Sequence, residues 1–230
     1  KYEIKTEVLG HGAEDKQEIR VLNRILTLTK AGVEYEADPR HAEIVVLDLG
    51  LKDAKGVVAP GTKEEGTTSA DHDVKLMPHK ATEYRAITAR LNYLSPDRPD
   101  ISFAVKELAR SMSEPTVGSW EKLKRLGRDL ITKPRMIIHF PYQDFPKSLR
   151  IYTDADWAGC KVSRKSTSGG TLRLGSPTIK TWSKTQTVLA LSSGESESYA
   201  ALKAPVDGLG LLSMTKDAGY SRQGVAFVEA

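Results

Sequence analysis

The sequence predicts an α+β chain in which a helical segment is followed by a β-sheet with one helix packed on it. Three observations carry that expectation. Residues 82–130 repeat apolar side chains at helical spacing, and residues 136–191 switch to short apolar runs divided by turn formers. From Glu195 the helical spacing returns, before a last apolar run at Gly224-Val225-Ala226-Phe227-Val228. At 230 residues with 39% hydrophobic content, the chain can bury a core of one large or two small domains.

Composition narrows the classes further. No stretch reaches the ~18 to 20 apolar residues that cross a bilayer, and Lys1-Tyr2-Glu3-Ile4-Lys5 lacks the apolar run of a secretory signal. The expected setting is intracellular, cytoplasm or nucleus, with no membrane partner. The single cysteine, Cys160, can form no internal disulfide and supports no Cys-based zinc site, so it reads as a small space-filler. The net charge of +4 permits a polyanionic partner without requiring one.

In chain order, Tyr2 to Leu9, Glu18 to Thr27 and Gly32 to Ala37 read as strands. Alternation in Val33-Glu34-Tyr35-Glu36 points to one buried face. Asp38 as N-cap and Pro39 at the first helical position open a helix that runs to Gly50, with His41 a surface residue in its first turn. Residues 53–80, with Gly56, Pro60, Gly61 and Gly66, read as a flexible linker that follows an α/β segment at 1–52. Asp71, His72, Asp73 and His79 fall in it, where neighbours in a loop rarely converge on one metal ion.

Residues 81–133 form a helical subdomain. Its stripes are Tyr84, Ile87, Leu91 and Leu94; then Ile101, Ala104, Val105, Leu108 and Met112; then Trp120, Leu123, Leu126 and Leu130, with Pro99 and Pro115 as punctuation. On the third helix Lys124 and Arg128 lie one turn apart, flanked by Lys122 and Arg125. That face either meets a phosphate backbone or is simply solvated, since Glu121 and Asp129 dilute it. Residues 134–230 form the last domain, with strands at Met136–Phe140, Leu149–Thr153, Gly170–Leu174, Thr178–Trp182 and Thr187–Leu191 that read as an antiparallel sheet.

Chemistry concentrates in that domain. If the strand extends far enough, Asp154 and Asp156 share a face, and their repulsion asks for a counter-charge; if it ends at Asp154, Asp156 caps the turn before Ala158-Gly159. Ser192 and Glu195 stand in capping-box relation, which gives Glu195 a structural task. Glu197 has none, and it shares a face with Ala201, Ala204 and Gly208, small residues suited to packing on a sheet. A carboxylate there is costly unless it is paired or bound to an ion, so Glu197 is the better metal ligand.

Four ordered blocks, Tyr152-Thr153-Asp154-Ala155-Asp156-Trp157-Ala158-Gly159, Arg164-Lys165-Ser166-Thr167-Ser168-Gly169-Gly170, Trp182-Ser183-Lys184-Thr185-Gln186 and Ala190-Leu191-Ser192-Ser193-Gly194-Glu195-Ser196-Glu197, resemble the ribonuclease H domain of copia-type LTR-retrotransposon Pol polyproteins. Upstream, Tyr84-Arg85-Ala86-Ile87, Leu91-Asn92-Tyr93-Leu94 and Arg98-Pro99-Asp100-Ile101-Ser102-Phe103-Ala104-Val105 resemble the connection between reverse transcriptase and ribonuclease H. The resemblance implies that residues 1–52 derive from reverse transcriptase and that 134–230 hold an incomplete ribonuclease H-like mixed β-sheet with its packed helix. It also implies hydrolysis of the RNA strand of RNA/DNA hybrids by two Mg²⁺ ions, with Asp154 and Glu197 as catalytic metal ligands. Arg164 and Lys165, with Ser166 and Thr167, would meet phosphates beside them.

The resemblance calls for a third carboxylate on the next strand, where Glu229 stands in place of an aspartate, and for a fourth carboxylate and a final helix beyond Ala230. The expectation is a fragment of the polyprotein, its nuclease impaired by truncation. Pro205, Gly208 and Gly210 are expected to weaken the helix that bears Glu197. No Tyr-x-Asp-Asp arrangement occurs, which excludes a polymerase active site within these residues. The alternative is a non-catalytic connection module that binds nucleic acid as a scaffold. A glycosidase-type acid/base pair is disfavoured, because no aromatic sugar platform accompanies the carboxylates.

Overall fold

A computed structural model describes residues 6–61, 74–146, 148–220 and 225–229, the last stretch by its backbone alone. The chain divides into two compact units, Lys1–His139 and Phe140–Ala230.

The first unit opens on a hairpin. Strands β1 (Glu18–Val21) and β2 (Arg24–Thr29) pair antiparallel, and Leu22 and Asn23 between them both adopt positive φ. Such a two-residue turn matches the twist of the flanking strands, so the run from Glu18 to Thr27 is two strands and not the expected one. β3 (Gly32–Glu36) pairs with β2, and the sheet order is β1-β2-β3-β4, with β4 at Ile137–Pro141. Glu36, not Val33 or Tyr35, is the buried side chain of β3; the Arg135 guanidinium grips its carboxylate with two hydrogen bonds. The expected strand at Tyr2 to Leu9 is not formed by its described part, which contributes only an isolated bridge from Leu9 to Lys16.

Helix α1 (Arg40–Asp48) follows, and Asp38 caps it from one residue further out than expected, accepting a hydrogen bond from the Arg40 backbone N–H at 3.1 Å. His41 is half-buried against the Tyr93 ring, not a surface residue, and burial lowers its pKa. Residues 55–58 are tied down: Arg128 Nε donates to the Lys55 carbonyl, the Val57 N–H to the Arg128 carbonyl, and Lys133 Nζ to the Val58 carbonyl. Asp71, His72 and Asp73 lie outside the described residues. His79 belongs to helix α2 (Pro78–Leu94), which Pro78 opens at its first position.

Helices α3 (Pro99–Arg110) and α4 (Val117–Thr132) complete the unit. The three apolar stripes meet as expected, and Tyr84, Ile87, Leu91, Ile101, Leu123, Leu126 and Leu130 are sealed from solvent in one core. One cation is sealed there too. Arg98, 1% exposed, clamps Asp100 through two hydrogen bonds and donates to the carbonyls of Lys133 and Pro134. It satisfies the C-terminal end of α4 from the N-terminus of α3, which is why an arginine precedes Pro99.

In the second unit, β5 (Ser148–Asp156), β6 (Thr167–Leu174) and β7 (Thr178–Thr185) form antiparallel pairs, and β8 (Val225–Glu229) joins β5 in parallel, giving the order β7-β6-β5-β8. The sheet is mixed. Helix α5 (Ser193–Asp217) packs Ala204 and Leu211 on Leu149, Ile151, Leu172 and Trp182. The apolar run Thr187–Leu191 is not a strand; it leads into the α5 cap. Helix α5 runs on through Pro205, which sits on the exposed side while Ala204 and Gly208 are buried. Gly170 has a steric reason: a Cβ there would lie 2.0 Å from the Trp182 ring.

Candidate active site

Every second residue of β5 faces the core, so Leu149, Ile151 and Thr153 are buried, while Arg150, Tyr152, Asp154 and Asp156 share the other face. The strand reaches Asp156 because pairing with β6 persists through Asp154 opposite Gly169 and Asp156 opposite Thr167. Asp156 also belongs to the turn that follows. Its carbonyl accepts from the Gly159 N–H at 3.3 Å, and a Cβ at position 159 would meet the Asp156 carboxylate at 1.8 Å. Both readings of Asp156, strand partner of Asp154 and turn residue, therefore describe one geometry.

The turn is held by residues that periodicity does not reveal. Trp157 Nε1 donates to the Ala190 carbonyl at 3.0 Å, and Ala158, at φ +51°, donates its N–H to the buried Ser166 hydroxyl at 3.0 Å. Cys160 is more than a space-filler: its Sγ accepts from the Ser163 N–H at 3.3 Å, and its backbone brackets the loop through Arg164 and Lys165. Arg164 is exposed at φ +55° and Lys165 is half-buried. Gln186, buried between β7 and α5, donates to the Ser168 hydroxyl and the Ser196 carbonyl, both at 2.9 Å.

At the start of α5 the two glutamates divide. The Ser192 hydroxyl accepts from the Glu195 N–H at 3.1 Å, and the Glu195 carboxylate accepts from the Leu191 N–H at 2.7 Å and from the Tyr199 hydroxyl at 3.1 Å. Glu195 is thus a cap. The buried stripe of α5 is Ser196, Ala200, Ala204 and Gly208, so Glu197 lies on its shoulder and not, as expected, in line with it. From there Glu197 Oε1 accepts the Ala155 N–H at 3.2 Å, while Oε2 is shielded from solvent without a hydrogen-bond partner.

A shielded carboxylate oxygen beside a strand that carries Asp154 and Asp156 suits a hard cation, which takes oxygen ligands. Among the described residues no three His, Cys, Asp or Glu side chains stand close enough to share an ion. The Glu229 backbone pairs with Tyr152, next to β5, and its side chain lies outside the described residues. In the first unit Lys124 is exposed on α4, whereas Arg128, its expected partner, is half-buried and committed to the Lys55 carbonyl. Among the described residues no helix is long and apolar enough to cross a membrane.

No protein-family model matches the chain. It is 30% identical over 170 residues to the uncharacterized mitochondrial protein AtMg00810 of Arabidopsis thaliana, covering 73% of this chain and 68% of that protein. Over 116 residues, half of this chain, it is 43% identical to the retrovirus-related Pol polyprotein from transposon RE1 of the same plant, of which it spans 8%. A foamy viral protease-reverse transcriptase solved in complex with dsDNA covers 93% of this chain, and 37% of that chain is covered, at a TM-score of 0.46 and 14% identity. The chain belongs to the family of retrovirus-related Pol polyproteins of copia-type transposons.

Proposed function

We propose that this segment of a Pol polyprotein contributes a ribonuclease H-type domain, which hydrolyses the RNA strand of RNA/DNA hybrids inside the cell. The observation that carries the reading is Glu197 at β5, with one oxygen held by the backbone N–H of Ala155, the residue after Asp154, and the other shielded without a hydrogen-bond partner among the described residues. Two carboxylates from a strand and a helix, on elements fixed by packing, are what a metal-assisted nuclease needs to hold its ions. Asp154 and Glu197 would hold Mg²⁺, with Glu229 on the neighbouring strand as the third ligand. The bound ions would supply an activated water and charge stabilisation at the leaving oxygen.

The remaining residues set the stage for that chemistry. Trp157, Ser166 and Cys160 brace the turn after Asp156, and Gln186 ties β6 to α5, so that the Asp154 strand and the Glu197 helix keep one spacing. Arg164, exposed on the braced loop, and Lys165 would meet backbone phosphates. Lys124, exposed on α4, would meet a phosphate in the same way, while Arg128 is held by the Lys55 carbonyl. The test is cleavage of a defined RNA/DNA hybrid in Mg²⁺, compared between the native sequence and Asp154→Asn. Cleavage of the RNA strand that disappears in the variant supports the reading. Identical backgrounds overturn it in favour of a non-catalytic nucleic-acid-binding scaffold.

A further inference from the structure

On the face of β5 that carries Asp154, four residues back along the strand, Arg150 stands directly opposite Arg173 of β6. Like charges in that position repel and destabilise the pair. Among the described residues neither guanidinium has a carboxylate partner, and Arg173 Nε is shielded from solvent without a hydrogen-bond partner. The two line a pocket of about 320 Å³ together with Tyr152, Ser148, Pro146 and Gly175.

That pocket is built, not incidental. A register shift at Leu172/Arg173 sets the Arg173 position on β6, and Arg173 Nη2 donates to the Ser176 carbonyl at 2.5 Å. Gln143 clamps the turn, donating to the Leu174 carbonyl at 3.0 Å and accepting from the Ser176 N–H at 3.0 Å. Gly175 closes the rim at φ +70°, where a Cβ would strike Gln143 at 2.4 Å and Pro146 at 2.7 Å. Two arginines, a phenol and a hydroxyl around one pocket suit an oxyanion such as a phosphate.

We propose that the Arg150–Arg173 pocket binds a backbone phosphate of the nucleic acid whose strand passes Asp154, as a second anchoring point on the same sheet face. The proposal rests on the hybrid-cleaving reading for its ligand, while its binding chemistry stands apart from catalysis. Four strand residues at ~3.3 Å each separate the anchor from Asp154 by about 13 Å. That is roughly four nucleotide steps at about 3.4 Å of helix axis. An anion between the guanidiniums also relieves the cross-strand repulsion, which explains why two arginines face each other.

The test is fluorescence anisotropy of the whole chain with a labelled RNA/DNA hybrid in EDTA, so that no metal bridges protein and phosphate. Arg150→Ala and Arg173→Ala should each weaken binding roughly tenfold or more and lower the salt slope by about one, while Lys216→Ala, at the exposed end of α5, leaves both unchanged. Circular dichroism and the unfolding midpoint in anion-free buffer should show both arginine variants folded and no less stable than the parent. Inorganic phosphate should raise the midpoint of the parent and not of the double arginine variant.

Unchanged affinity and salt slope in the double variant overturns the pocket, as does a loss that Lys216→Ala reproduces. Arginine-dependent binding by a chain that cleaves nothing keeps the pocket and defeats the nuclease reading. Cleavage without arginine dependence does the reverse.

Discussion

Glu197 Oε1 accepts a hydrogen bond from the Ala155 backbone N–H at 3.2 Å, so a carboxylate of α5 is fastened to the strand residue that follows Asp154. Its other oxygen is shielded without a partner, a position that costs free energy unless a cation or a donor fills it.

Magnesium should therefore stabilise the second unit. Titration of Mg²⁺ should raise the thermal midpoint of the native sequence, because a ligand that binds only the folded state stabilises by mass action. Glu197→Gln should abolish that rise while leaving the metal-free midpoint equal or higher, since an amide carries no charge to desolvate. A Mg²⁺ response retained in Glu197→Gln would remove Glu197 from the metal site.

Arg98 should be the costliest single cation to remove from the first unit. Arg98→Met strands Asp100 and the carbonyls of Lys133 and Pro134, with an expected loss of about 3–5 kcal/mol in urea unfolding. Arg98→Lys should recover little, because a point charge cannot reproduce the fork that reaches Asp100 and both carbonyls. Full recovery by lysine would mean that charge alone, and not the hydrogen-bond fan, holds α3 to the end of α4.

Asp129 gives the first unit a pH signature. It is fully buried, neither oxygen has a hydrogen-bond partner, and burial raises its pKa despite Lys133 at 3.8 Å. A carboxyl whose folded pKa is raised favours the folded state when protonated, and that contribution is lost as pH rises through the folded pKa. Asp129→Asn should thus stabilise the unit near neutral pH by about 1 kcal/mol and have no effect in acid, where the native side chain is already protonated. Asp38 should act in the opposite sense. Hydrogen bonds from Arg40 hold its pKa below the usual range, so its contribution, present at neutral pH, is lost as pH falls through its folded pKa. Unfolding curves of the Asp129→Asn and Asp38→Asn variants across pH separate the two.

Gly170→Ala should destabilise the second unit by about 1–3 kcal/mol, because the added methyl enters the space of the Trp182 ring. Trp182→Phe, which shortens that ring, should recover part of the loss in the double variant, read by chemical denaturation.

The sequence made the helical core legible, because Tyr84, Ile87, Leu91, Ile101, Leu123 and Leu126 repeat at one helical period and bury together. The assignment of Glu195 as a cap was equally readable, since capping has a fixed spacing, whereas the place of Glu197, on the shoulder of the buried stripe and tied to Ala155, was not. Local patterns could not show the turn at Leu22-Asn23, which lacks the glycine that marks most such turns. Nor could they show Glu36 inside the sheet, because its burial depends on Arg135, 99 residues away. Gln186 and Ser166 stood out only through the resemblance, and their structural task was silent for the same reason: buried polar networks are defined by partners and not by periodicity. The signal that could have found Arg150 and Arg173 was their pairing across the hairpin, which is invisible until the register is set.

The most direct test of the site is single-turnover cleavage of an RNA/DNA hybrid in Mg²⁺ by the native sequence, Asp154→Asn, Glu197→Gln and the double variant. If the two carboxylates hold one metal centre, each single variant falls to background and the double variant falls no further, because groups that act as a unit do not add. Losses that multiply, or a native rate no faster than that of Asp154→Asn, would contradict the account.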